Sequence, residues 1–310
     1  MMSTLEPRVV IIYRETRLNE LKRRYNTLEQ AKFYIEHLGA DFQEYSDEDA
    51  QYASSLKLVE NNYRTVAKVQ LIERSFLPNF VFNNDEIVVV VGQDGLVANT
   101  LKYVKTNSVV GINPEPSRYD GKLLPFNAID SAKYAKETVS GYRNYVDVTL
   151  ASVNLSNGQK LVGVNDIFIG PRSHTSARYN IKWGNHTESQ SSSGIIVSTG
   201  LGSTGWFQSL IAGAVGVTGN LNTELTHLQK GFEWSEDYLY FCVREPFPSQ
   251  TTGTDVVFGK TSEQAPLSIE SHMPENGVIF SDGILDDYID FHAGLRADIG
   301  IADWKARLIV

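Results

Sequence analysis

Three short stretches hold residue types that can do chemistry on a polar ligand. Gly92-Gln93-Asp94-Gly95 follows the apolar run Val88 to Val91 and precedes a helical stretch. In open α/β sheets ligands bind at the carboxyl ends of the strands. Glycines there let the backbone approach phosphate oxygens, and a helix N-terminus offers unpaired N–H groups to an anion. Asp94 would repel a phosphate. Its work is therefore either to orient or deprotonate an acceptor hydroxyl, or to hold its own turn by local hydrogen bonds. The second stretch, Gly200-Leu201-Gly202-Ser203-Thr204-Gly205, satisfies the G-x-G-x-x-G pattern literally. It lies in a β-rich region with no second strand to complete a βαβ unit, which argues against a Rossmann site. What remains is Ser203, Thr204 and bare backbone facing a polar ligand, with Trp206 as an aromatic face. The alternative is a strand-to-helix turn whose hydroxyls cap the helix, with Trp206 in the core. The third stretch is Asn165-Asp166, suited to the paired hydroxyls of a ribose. Adjacent strand residues point to opposite faces, so both reach one ligand only at a bulge or turn, and a plain turn would equally account for the pair.

Other chemistries are excluded by spacing. Gly259-Lys260-Thr261 ends like a P-loop, but position 254 is Thr where the pattern needs glycine. The six histidines, His37, His174, His186, His227, His272 and His292, never approach H-E-x-x-H spacing. There is no G-x-S-x-G nucleophile elbow. The single cysteine, Cys242, sits in the apolar run Tyr238 to Val243 and reads as a core side chain; one cysteine closes no intramolecular disulfide and fits a reducing compartment.

The elements that must position these stretches follow from periodicity. Arg8 to Tyr13 is a strand, and a capping box over Asn26 to Glu29 starts a helix that stops at Gly39. A second helix is predicted over Asp49 to Ser75, ended by Pro78. Glu86 to Val91 is a strand covered on both faces, followed by the Gly-rich turn, a helix over Leu96 to Val104 and a strand over Ser108 to Ile112. Strands alternating with helices predict a parallel α/β sheet. Beyond Tyr145 the pattern alternates, Asn157-Gly158 marks a hairpin, and further short strands are expected at 166–169, 178–183, 194–198, 238–243, 266–271 and 278–280. Gln190 to Ser193 reads as a loop, and a helix starts after Gly205. The expected organisation is an α/β domain over 1–140 and a β-rich, β-sandwich-like domain over 141–310, with the extreme C-terminus able to pack back on the first.

Length and composition set the remaining bounds. The chain has 310 residues, 42% hydrophobic and 21% charged, and a net charge of -9. Two domains fit that length. The acidic balance leaves no general basic field for nucleic acid or an anionic membrane. No apolar run approaches the roughly 18 residues of a spanning helix. With only Met1 to Pro7 ahead of the first strand, no signal peptide is expected and a cytoplasmic location is the plain reading.

Taken in order, EIVVVVGQDG, VVGINPEP, VNDIFIG and GIIVSTGLGSTGWFQS make the chain resemble the NAD kinases. The family pattern is a strand ending in Gly-Gly-Asp-Gly, a Gly-Val/Ile-Asn strand end, an Asn-Glu pair and a Gly-Ser/Thr-Thr-Ala-Tyr turn. NPEPSRYDG, Trp206 and YFCVREPF are similar to the branch containing mitochondrial NAD kinases and bacterial relatives. The resemblance runs through most of residues 84 to 300. It implies an α/β domain with a parallel sheet, a β-rich NAD-binding domain, a homodimer or homotetramer, and transfer of the ATP γ-phosphate to the 2'-hydroxyl of the adenosine ribose of NAD, with Mg²⁺ arriving on ATP and no protein-only metal site. By position, Asp94 would activate that hydroxyl, Gly92 and Gly95 would line the phosphate turn, and Asn165 and Asp166 would take the ribose. Ser203, Thr204, Gly205 and Trp206 would lie beside the nucleotide, and Asp282-Gly283 corresponds to a family Asp-Gly.

Four positions depart from the family pattern. Gln93 replaces the second glycine, Asp166 is one methylene shorter than Glu, Ser193 stands where many members have Asp, and Trp206 replaces Tyr. Two alternatives accompany the NAD kinase reading: a sugar or lipid kinase of the same superfamily, in which Gly-Gly-Asp-Gly also occurs, and a non-catalytic NAD(P)-binding relative.

Overall fold

The computed structural model of the protein describes residues 6–218 and 223–310. The chain divides into two compact units, Met1–Val146 with Arg307–Val310, and Asp147–Ala306.

The first unit is an α/β layer structure built on a parallel sheet. Its elements are β1 (Arg8–Tyr13), α1 (Arg17–Tyr25), α2 (Leu28–His37), α3 (Phe42–Arg64), β2 (Lys68–Glu73), β3 (Glu86–Val91), α4 (Asp94–Leu101), β4 (Ser108–Asn113), the short β5 (Phe126–Asn127) and α5 (Ser131–Val139). The strand order is β4-β3-β1-β2, all parallel. Val88 to Val91 have no exposed surface, as the unbroken apolar run requires of a strand covered on both faces. The three long helices start on side-chain caps, Thr16, Thr27 and Asp41, each accepting a first-turn amide.

The expected long helix of this unit is corrected. The helix predicted over Asp49 to Ser75 is α3, which begins earlier and ends at Arg64. Lys68–Glu73 then runs as β2 beside β1, and Arg74–Asn79 is a 3-10 turn containing Pro78. Val69 and Leu71 alternate toward the core on one side of this edge strand, a period-two pattern that the helical spacing around it conceals. The sequence pattern predicts no helix over Arg17–Tyr25, where the structure has α1. Its mean hydropathy is low and Leu18 is its one buried residue.

The second unit carries β6 (Tyr145–Leu155), β7 (Lys160–Gly163), β8 (Asp166–Pro171), β9 (Ala177–Trp183), β10 (His186–Ser192), β11 (Ile195–Ser198), α6 (Trp206–Thr218), α7 (Thr223–Leu228), β12 (Leu239–Val243), β13 (Phe258–Thr261), β14 (Leu267–Ser271), β15 (Gly277–Ser281), β16 (Ile284–Asp290) and β17 (Arg296–Ile309). One antiparallel layer runs β10-β9-β14-β17, and another runs β13-β12-β11-β8-β15-β16. Alternate residues of both, including Tyr179, Ile181 and Ile269 from one and Ile167, Ile195, Phe241 and Ile279 from the other, form one core. This is the sandwich arrangement of two sheets interleaving their inner faces. The outer face of the second layer is covered by α6, whose Phe207, Ile211 and Val215 are buried with Tyr240 and Phe258 against them.

Gln190 to Ser193, expected as a loop, is largely strand: β10 reaches Ser192, and Gln190 and Ser192 are buried partners of the Tyr179 hydroxyl. Polar composition disguised a strand whose inward side chains are satisfied by a tyrosine. At the end of β17, Arg307 and Leu308 pair in parallel with Ser108 and Val109 of β4. No helix among the described residues is long and apolar enough to cross a membrane.

Candidate functional site

In the first unit β3 delivers the chain to Gly92, whose N–H donates to the Ile112 carbonyl at 3.2 Å. Gln93 occupies the N-cap position of α4 with φ -99 and ψ 166, and its side chain makes no cap bond. That backbone is ordinary extended chain, so the turn does not need a glycine at 93 for conformational reasons. Asp94 is the first residue of α4, where the helix dipole favours a negative charge.

The Asp94 carboxylate is held from outside its own turn. Oδ2 accepts from the Lys122 N–H at 2.9 Å and Oδ1 from the Leu123 N–H at 3.0 Å. These bonds fix the direction of the carboxylate and leave each oxygen further lone-pair capacity. They do not arise from the local turn hydrogen bonds that a plain Asp turn would use. The loop that supplies them rests on β4: a Cβ at Gly111 would lie 2.0 Å from the Leu123 carbonyl oxygen. Gly111 is thus the residue that lets the loop sit on the strand. Its signal in the sequence was a glycine inside an otherwise apolar buried strand, the mark of close backbone approach. Gly95 is different, since a Cβ there would meet nothing within 4 Å, and the residue is exposed.

Sequence reasoning missed the side chains at the same rim. The buried Tyr52 hydroxyl donates to the Val91 carbonyl at 2.7 Å and accepts from the Arg14 N–H at 3.0 Å, tying the ends of β3 and β1 together. Buried Glu48 pairs with Arg14 at 2.9 Å and, more closely, with Arg17. The Arg14 and Arg17 side chains outweigh the cost of burial and hold the Glu48 carboxyl below its ordinary range. Nearby, a cavity of about 530 Å³ is lined by Glu48, Gln51, Glu115, Ser117 and Arg118 among others. Burial pushes the Glu115 carboxyl up, against the pull of Arg118, and its Oε2 has no hydrogen-bond partner. These residues come from distant parts of the chain, and no spacing rule links them.

In the second unit the structure brings Asn165, Asp166, Asp282 and the 199–206 turn together. Asp282, at φ 56, places its Oδ1 against the N–H groups of Val164 at 2.9 Å, Asn165 at 2.6 Å and Asp166 at 3.3 Å. A carboxylate in a nest of successive amides is strongly held. The Asp282 N–H returns a bond to the Asp166 carbonyl at 3.0 Å. Asp166 is 7% exposed, and its carboxyl accepts no hydrogen bond among the described residues. Burial first, and the Asp282 charge second, push it up to about 7.

The Gly200–Gly205 turn is locked to this pair through backbone. Thr199 Oγ1 donates to the Val164 carbonyl at 2.6 Å, and the Thr199 N–H donates to the Asn165 carbonyl at 3.0 Å. A Cβ at Gly202 would fall 1.9 Å from the Asn165 carbonyl oxygen, and one at Gly200 would fall 2.0 Å from that of Glu233. Two glycines of the G-x-G-x-x-G pattern are therefore demanded by protein packing rather than by a dinucleotide. Ser203 is fully buried, donating to the Gly200 carbonyl at 2.6 Å and accepting from the Phe232 N–H at 3.0 Å. Thr204 and Gly205 are exposed. Trp206 is half-buried, stacked on Phe168 at 5.8 Å. Cys242 is half-buried with its thiol pushed up to about 11 by burial, which leaves it protonated and unreactive at neutral pH.

No protein-family model matches the sequence, and no curated protein matches it. Solved structures do. An NAD kinase from Archaeoglobus fulgidus, in complex with ATP, superposes with a TM-score of 0.56 at 16% identity, covering 98% of this chain and 93% of the other. Yeast NADH kinase complexed with NADH gives 0.58 at 14% identity, covering 99% and 84%. The chain has the NAD kinase fold. In that fold the α/β unit of this chain carries the Asp94 turn and the sandwich unit carries the Asn165, Asp166 and Asp282 cluster.

Proposed function

We propose that the protein is an NAD kinase that transfers the γ-phosphate of ATP to the 2'-hydroxyl of the adenosine ribose of NAD, giving NADP. The observation that carries the reading is the Asp94 carboxylate, fixed at a strand end by the amides of Lys122 and Leu123 with lone pairs still available. In the reaction the ribose oxygen bonds to the γ-phosphorus, the bridge from that phosphorus to the β-phosphate oxygen breaks, and ADP leaves. Asp94 takes the hydroxyl proton. Gly92 and Gly95 keep the phosphate turn free of side chains. Asn165 and the unpartnered Asp166 carboxyl take ribose hydroxyls, and Thr204, Gly205 and Trp206 lie beside the nucleotide. Ser203 serves this reading by holding the turn.

Among the described residues no group of three or more His, Cys, Asp or Glu side chains is arranged for a metal ion. Mg²⁺ in this reading arrives with ATP and neutralises its phosphates. The assembly proposed is a homodimer or homotetramer, tested by light scattering after gel filtration.

The test is turnover. Purified protein with MgATP and NAD yields NADP, and Asp94→Asn removes most of it while NAD binding stays measurable by calorimetry. A protein that hydrolyses ATP only with a sugar or lipid acceptor would overturn the reading. Gln93, where the family pattern has glycine, favours a second reading, a non-catalytic dinucleotide-binding protein; it predicts NAD or NADP binding with no transfer.

A further inference from the structure

Arg244 closes β12 at the edge where Trp206 begins α6. The β11–β12 ladder, which pairs Ile195 with Val243, is carried further by the Arg244 N–H to the Gly194 carbonyl at 2.8 Å and by the Ser193 N–H to the Arg244 carbonyl at 2.9 Å. The backbone on both sides is tightly specified. Gly194 has φ +103, and a Cβ there would meet the Phe168 ring at 2.6 Å; Glu245, the next residue after Arg244, has φ 47. Holding a non-glycine residue in the left-handed region costs energy that the surroundings must offset.

The side chain is positioned with equal care. The guanidinium carbon lies 5.3 Å from the centre of the Trp206 ring, and Nη1 makes one long bond to the Ser193 carbonyl at 3.4 Å. Trp206 stacks on Phe168, which stacks on Phe280 at 4.8 Å, so the arginine rests on a column of rings anchored in the buried cluster of Ile196 and Val278. Among the described residues no carboxylate pairs with Arg244, whereas Arg14, Arg17, Arg118, Arg143 and Arg296 all have one. A guanidinium has five donors in a planar fork that matches phosphate oxygens, and most of these are unspent. Trp206, on which the guanidinium rests, is the first residue of α6.

We infer that Arg244 is a phosphate-binding residue of the second-unit site, taking a phosphoryl group of the bound dinucleotide while Trp206 holds the plane of its guanidinium. The inference rests on the NAD kinase reading and adds a residue and a ligand group to it. Trp206 then acts on the ligand through Arg244 as well as by its own exposed edge.

The test is calorimetric titration of the full chain, wild type, Arg244→Gln and Arg244→Lys, with NAD, NADP and the phosphate-free adenosine, each at low and high salt. Arg244→Gln should weaken NAD or NADP by about tenfold or more and flatten the salt dependence, with adenosine unchanged. Arg244→Lys, which keeps the charge but loses the fork and the stack, should fall between. Equal weakening of both dinucleotides places the contact on the pyrophosphate; weakening of NADP alone places it on the 2'-phosphate. Wild-type binding of NAD with no loss in Arg244→Gln overturns this inference and leaves the kinase reading standing. A wild-type protein that does not bind NAD overturns both.

Discussion

Replacing Asp166 by Asn should stabilise the protein at pH 8 and leave it unchanged at pH 4. The carboxyl is buried at 7% exposure with no hydrogen bond among the described residues, beside the Asp282 charge, and is pushed from 3.8 up to about 7. An acid whose folded value is raised is ionised in the unfolded chain while still protonated in the folded one. Between about pH 4 and 7 the unfolded state therefore binds fewer protons, and stability falls as pH rises, then levels off. The interval from 3.8 to about 7 corresponds to about 4 kcal/mol at the plateau. Asparagine titrates nowhere in this range, so its advantage should grow from nothing to about that size. For a unit of this length that is on the order of 8–16 °C in Tm. Thermal unfolding of both proteins in steps from pH 4.5 to 8.5 reads the difference directly. A Tm gap independent of pH would refute the reasoning, because it would mean that Asp166 is ionised normally. The same substitution should weaken NAD binding, the usual relation when a site keeps a costly group for its ligand.

Three further outcomes test the rest of the geometry. Asp282→Ala removes the acceptor of the Val164, Asn165 and Asp166 amides and should cost about 2–3 kcal/mol; urea unfolding measures it, and the titration of Asp166, relieved of its charged neighbour, should move to lower pH. Gly111→Ala places a methyl 2.0 Å from the Leu123 carbonyl oxygen and should destabilise by about 1–3 kcal/mol while abolishing turnover, since the loop that displaces carries both amides on Asp94; a soluble, active Gly111→Ala protein would contradict the packing. Tyr52→Phe deletes the hydroxyl joining Val91 to Arg14 and should lower stability by about 1–3 kcal/mol, read by urea midpoint with an unchanged slope.

The parallel sheet of the first unit was legible because β1, β3 and β4 are short apolar runs bounded by turn residues, and burial on both faces leaves few other uses for Glu86 to Val91. The sandwich was legible from alternation, which survives wherever one face is buried. Two kinds of element escaped. β2 is an edge strand between a helix and a 3-10 turn, with only a few residues of alternation to report it, and β10 hides its buried face behind Gln190 and Ser192, whose polarity is answered by Tyr179. The site divides the same way. Asp94, Asn165 and Asp166 stand out by residue type, but the partners that make them unusual, Leu123, Asp282 and Thr199, are set by tertiary contact over sequence distances that no motif spans.

What a Cβ would meet separates the glycines of these motifs by cause. Gly111, Gly200 and Gly202 are each pressed against a carbonyl oxygen of another segment, so the fold itself requires them. Gly95 faces open space at the first turn of α4, with no positive φ to favour it. A glycine in a helical first turn lowers helix propensity, and nothing in the packing offsets that loss. In the proposed reading the offset comes from the ATP phosphates that approach the turn. Gly95→Ala should then fold with stability equal to or slightly above wild type while losing affinity for ATP. A variant that binds ATP as well as the parent would make Gly95 an accident of the sequence and remove the phosphate turn from the proposed site.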